Sequence, residues 1–131
     1  MTQQSRSWVI TLPQNVDWNS YMRTEVMPAA DCSVALNYRV HGVPRDLRAG
    51  DRCYIVWRRR VRGWMEVTDV KHWPDGFPCL ATGTHWPPGT YIQRSGLFHP
   101  VGGPEMIGFR GIRRYDPPAD PSPLPPGPLY L

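Results

Sequence analysis

The stretch from Asp51 to Val70 constrains the fold more than any other part of the chain. Asp51 to Arg58 alternates, with Cys53, Ile55 and Trp57 on one face and Tyr54, Val56 and Arg58 on the other, and Trp64 to Val70 (WMEVTDV) alternates again. Side chains of a strand point to opposite faces with period two, so two alternating runs joined by a short polar segment predict an antiparallel hairpin, with Arg59 to Gly63 turning the chain back.

Other segments supply further strands. Ser7 to Leu12 (SWVITL) is β-branched and aromatic, is stopped by Pro13, and reads as a first, mostly buried strand. Asn15 or Asp17 is placed to cap a helix running to about Met27, with Trp18, Tyr21, Met22 and Val26 on one face and Pro28 ending it. Val34 to Val40, Gly89 to Gln93 and Met106 to Tyr115 are further strand candidates; the last contains Gly108 and Gly111, as strands that bend or bulge often do. Ala49-Gly50-Asp51 and Trp73-Pro-Asp-Gly read as turns. Five or six short strands with one or two short helices predict an α+β fold, a small mixed β-barrel.

With 131 residues the chain has room for one core. Seven of its sixteen prolines fall in the last fifteen residues, PPADPSPLPPGPLYL, which removes donors for helix or ladder. A domain over residues 1–116 and a disordered proline-rich tail over 117–131 are therefore expected. The chain lacks the 18 to 20 apolar residues that a spanning helix requires, roughly, and Met1-Thr-Gln-Gln-Ser-Arg has no apolar leader, so a cytoplasmic protein without a membrane partner is expected. Cys32, Cys53 and Cys79 lack CxxC spacing, which predicts ordinary small apolar side chains and neither a metal nor a disulfide scaffold.

Catalytic motifs are missing. His41, His72, His85 and His99 are scattered, and no G-x-S-x-G elbow, H-E-x-x-H helix or phosphate-binding glycine loop occurs, so no catalytic residue and no cofactor is assigned. Asp46 and Asp51 flank arginines in a turn, where local hydrogen bonding or charge balance is the ordinary role.

Basic residues carry the functional signal. Fourteen of the fifteen are arginine, at a net charge of +4, and seven of those fourteen (Arg45, Arg48, Arg52, Arg58, Arg59, Arg60 and Arg62) fall within eighteen residues beside Trp57 and Trp64. Guanidinium forks suit phosphates, and indoles suit base stacking. Arg58 to Arg62 would reach successive phosphates from the end of the hairpin. In the loop after Tyr91, Arg94 and Ser95 form a second candidate wall.

Taken in order, SWVITL, a helix beginning DWNSY, Leu47-Arg-Ala-Gly-Asp51 leading into CYIVW, RGWMEVTDV, and a turn at Pro74-Asp75 resemble the PUA-like superfamily, particularly its EVE and ASCH branches. Gly63, Val67 and Val70 match the family's "G-x-x-x-V-x-x-V" strand. The resemblance implies a mixed barrel with a concave pocket beside the first helix, and a nucleic-acid partner, RNA or modified DNA. It places Trp18 and Asn19 at the pocket and Trp57 on its strand wall. Trp57 would stack on a flipped base, Asn15 or Asn19 would bond its edge, and Arg39, Arg58, Arg59, Arg60 and Arg62 would hold the backbone. Two alternatives stay open: an ASCH-like hydrolase or nuclease using His41, His99 and Asp69, and a protein-interaction module.

Overall fold

The computed structural model describes residues 6–27, 29, 36–78 and 85–117. The chain order is β1 (Ser7–Thr11), α1 (Trp18–Tyr21) continuing into a π-helical turn (Met22–Val26), β2 (Leu36–Val40), β3 (Arg52–Trp57), β4 (Arg60–Trp73), β5 (Phe77–Pro78), β6 (His85–Trp86), β7 (Gly89–Arg94), β8 (His99–Pro100) and β9 (Ile112–Arg114). The proline-rich tail beyond residue 117 and the cysteines at 32 and 79 lie outside the described residues; Cys53 is buried with a free thiol.

The helical segment forms as its sequence requires. The Asp17 carboxylate accepts a hydrogen bond from the Ser20 amide at 3.0 Å, satisfying one of the first-turn donors that have no intrahelical partner. Trp18, Met22 and Val26, four residues apart, bury one stripe.

Strands pair in the order β2-β7-β4-β3-β1-β9, with β8 also on β4. β1 and β3 run parallel, with Ser7 beside Arg52 and Thr11 beside Val56, and the other described pairs are antiparallel. The fourteen-residue β4 joins two halves of the sheet: its first half pairs with β3 and its second with β7, across an irregularity between Val67 and Asp69. The sheet is thus mixed, as expected, but open: β2 and β9 end the path without meeting. The expected closure fails at the C-terminal side. Met106 to Tyr115 contributes only the three residues of β9, because Gly111 at φ +80° breaks the extended conformation just before it.

Both faces of β3 are buried, whereas alternation assigns it one buried face. Cys53, Ile55 and Trp57 join a core with Trp8, Ile10, Trp18, Met22, Val40, Met65 and Ile92. Tyr54 and Val56 join a second core with Val9, Val61, Val101 and Tyr115, closed over by Met106 and Phe109. The irregular C-terminal segment therefore works as a lid on the outer face rather than as a long strand.

Two residues fix how these layers meet. The Asp51 carboxylate is buried and accepts from the Arg6 amide at 3.0 Å, the Trp8 indole N–H at 2.8 Å and the Arg48 amide at 3.1 Å, tying β1 to the turn before β3. Gly63 lets β8 approach β4: a Cβ there would meet the His99 carbonyl and the Phe98 ring. Gly63→Ala is accordingly expected to lower the urea midpoint, costing about 1–3 kcal/mol, because the His99 carbonyl is backbone and cannot rotate aside. An unchanged midpoint would mean that β8 shifts freely.

Candidate nucleic-acid interface

The chain reverses earlier than its pattern suggests. Trp57 pairs with Arg60, so Arg58 and Arg59 alone form the loop, and Arg60 and Arg62 already belong to β4. Both loop residues have positive φ, +49° and +64°, the type I′ pattern that natural hairpins give to Asn-Gly. A side chain bearing Cβ costs roughly 1–2 kcal/mol per residue in that conformation. Two arginines are held there against local preference.

The guanidinium groups at this end crowd one another. The Arg58 guanidinium lies over the Trp57 ring, 4.4 Å from its centroid, and that of Arg62 lies 5.3 Å away. Arg62 Nε donates to the Trp57 carbonyl at 3.0 Å, and Arg60 Nη1 donates to the Gly103 carbonyl at 3.4 Å. Burial lowers the Arg62 pKa below its ordinary value, and the positive charges of Arg60 and Arg58 lower it further. Among the described residues, ion pairs join Arg6 and Arg114 to Asp46, and Lys71 to Asp69; none involves Arg58, Arg59, Arg60 or Arg62. A cluster of like charges without ion-pair partners is poised to gain from an external anion.

Clefts flank the loop on two sides. One, of about 370 Å³, is lined by Asn15, Val16, Asp17, Trp18, Asn19, Trp57 and Arg58. The other, of about 520 Å³, is lined by Thr11 to Gln14, Arg59, Ile107 and Gly108. The segment from Thr11 to Asn19 thus lines both, and each strained arginine belongs to a different cleft. The first cleft gathers four residues expected at a base pocket: Asn15, Trp18, Asn19 and Trp57.

Their roles differ from expectation. Trp18 and Trp57 are only 3% and 2% exposed, with ring centroids 5.6 Å apart, and Trp57 Nε1 donates to the Val16 carbonyl at 3.0 Å. Neither indole offers a free face to a base, because alternation along β3 places Trp57 with Cys53 and Ile55 in the core. The group that does face outward is Arg58, which is exposed and lies over Trp57. Asn15 and Asn19 are also exposed.

Three other expected residues lie elsewhere. Arg39 sits on β2 opposite Tyr91 and donates through Nε and Nη2 to the Pro88 carbonyl at 3.1 and 2.8 Å, so it braces the start of β7. The Ser95 hydroxyl accepts from the Leu97 amide at 3.1 Å and serves a turn. Arg94 is buried. None of the three lines either cleft. The second cleft escaped the sequence reading. Its signal was Ile107, which is 74% exposed in a segment with almost no ladder pairing.

The acid and base groups of a hydrolase are dispersed. His99 pairs opposite Trp64 on β4, while Val40, next to His41, pairs opposite Thr90, itself opposite His72. Trp64 and His72 are eight residues apart on β4, about 26 Å along an extended strand. Asp69 is exposed and pairs with Lys71 at 3.1 Å.

His99 stacks on Trp64 with centroids 3.9 Å apart, and Arg52 covers the same indole at 4.1 Å. Burial lowers the His99 pKa below its ordinary 6.5; Arg52 lowers it further, and Glu66 opposes. A histidine with a depressed folded pKa takes its proton first in the unfolded chain, so stability falls as pH drops through the unfolded value toward the folded one. His99→Gln is expected to flatten the stability profile between about pH 5 and pH 7. Superimposable profiles for the two proteins would remove His99 as the cause.

Among the described residues, no helix is long and apolar enough to cross a membrane. No family model, no curated protein and no solved structure matches this chain.

Proposed function

We propose that this chain is a PUA-like nucleic-acid-binding module that holds single-stranded RNA across the Arg58–Arg59 loop without catalysing a reaction. The observation that carries this reading is the placement of two arginines at positive φ, each beside its own cleft, in a cluster without carboxylate partners. Arg59, Arg60 and Arg62 take phosphates. Arg58, backed by Trp57, presents a guanidinium plane on which a base stacks, and Asn15 and Asn19 bond the base edge. The stacking surface is thus moved from the indole to the arginine lying on it. Bases exposed in a single strand are open to such contacts, whereas a paired A-form helix hides them in a deep, narrow groove.

Arg58→Lys separates plane from charge. Lysine retains the positive charge and loses the planar fork. Anisotropy titrations with a labelled single-stranded RNA are expected to give a binding constant about tenfold weaker for Arg58→Lys, with the salt dependence unchanged. Equal affinity for the two proteins would reduce Arg58 to a simple charge.

A further inference from the structure

Arg94 closes β7 on the same face as Ile92, which carries its side chain into the core, where it is 2% exposed. Its Nε and Nη1 are buried and have no hydrogen-bond partner. The Tyr21 hydroxyl, also buried and without a hydrogen bond of good geometry, lies within reach of the same guanidinium and interacts with it. The guanidinium carbon stands 5.8 Å from the centre of the Tyr38 ring, and the Tyr38 hydroxyl is already committed to the Thr11 carbonyl at 3.2 Å.

Nothing described in the core balances this charge. No described carboxylate pairs with Arg94. Burial raises the Tyr38 phenol above its ordinary range and pushes the Cys53 thiol up to about 11, and the neighbouring Arg94 only partly offsets each. Both therefore stay neutral near pH 7. Natural cores pair buried charges, and buried polar atoms left unsatisfied concentrate where a ligand or ion belongs. The unsatisfied atoms here are two guanidinium nitrogens that only donate and a hydroxyl able to donate, so the complementary ligand is one that only accepts. Tyr21 also directly precedes the π-helical turn Met22–Val26, and such turns recur at functional sites.

We propose that Arg94 and Tyr21 form a binding site for a small oxyanion, a phosphate or carboxylate group that enters beside the π-helical turn. The site shares no residue with the cleft at Arg58 and does not depend on the RNA-binding reading.

The test is thermal melting of the full chain in millimolar sodium phosphate or sodium acetate, against sodium chloride at matched ionic strength. A saturable rise in melting temperature is expected with at least one oxyanion. A response to phosphate alone assigns a phosphate group, and a response to acetate alone assigns a carboxylate. The Arg58→Asn/Arg59→Gly protein should keep a saturable response, which separates this site from the hairpin. Arg94→Met should lose the response, and Tyr21→Phe should weaken it about tenfold, the loss of one hydrogen bond to a charged group. The phenylalanine variant decides the matter if the methionine variant does not fold. No response beyond chloride in the wild type, an undiminished response in a folded Arg94→Met protein, or an unaltered Tyr21→Phe affinity each overturns the proposal.

Discussion

Asp51→Ala is expected to destabilise the protein by about 3–5 kcal/mol, a large share of the 5–15 kcal/mol that holds a domain of this size together. The buried carboxylate accepts three hydrogen bonds, and alanine leaves the Arg6 amide, the Trp8 indole N–H and the Arg48 amide without their acceptor. Each orphaned donor costs about 1–3 kcal/mol where water does not reach it. Asp51→Asn preserves the shape but replaces one acceptor oxygen by a donor, which would face either the Arg6 amide or the Trp8 and Arg48 donors. It should fall between wild type and alanine. Guanidinium unfolding followed by tryptophan fluorescence reads both, and a loss below about 1 kcal/mol for alanine would show that the three contacts are replaceable by solvent.

Arg58→Asn/Arg59→Gly is expected to move stability and binding in opposite directions. Asn-Gly is the preferred pair for a two-residue loop with both residues at positive φ, so relief of the arginine strain should raise stability by about 1–2 kcal/mol. For a domain of this size that corresponds to a melting temperature about 4–8 °C higher per kcal/mol. The same change removes one arginine from each cleft, and RNA affinity should fall by one to two orders of magnitude, roughly. A variant less stable than the wild type would mean that the arginines stabilise the loop and are not retained for another purpose.

Much of the scaffold was legible in the residues, and the misreadings have particular causes. Alternation locates β3 and β4, but the pattern puts the bend over Arg59 to Gly63, whereas the chain turns at Arg58 and Arg59. Gly63 is needed instead because Phe98 and the His99 backbone come too close for a side chain. The real turn carries no turn-forming residue at all, so local propensity pointed away from it. Trp57 fits both a rim and a core by type; its register with Cys53 and Ile55 decides for the core. Four residues of the first cleft, Asn15, Trp18, Asn19 and Trp57, are those that the resemblance implies at a pocket, and the helix start and the end of β3 bring them together. The resemblance groups Arg39 with the hairpin arginines, yet Arg39 pairs with Tyr91, which pairs with Lys71, eleven residues along β4 from Arg60. Charge in a sequence carries no position, and strand register supplies it.

The most direct test is the salt dependence of single-stranded RNA binding. If Arg59, Arg60 and Arg62 each neutralise a phosphate, the logarithm of the binding constant should fall linearly against the logarithm of salt with a slope of about −2. For Arg58→Asn/Arg59→Gly the slope should shrink by about 0.7, the loss of the Arg59 contact, while the RNA remains uncut. Absence of binding at about 50 mM salt, or a slope that the double replacement leaves unchanged, would contradict RNA recognition at this hairpin.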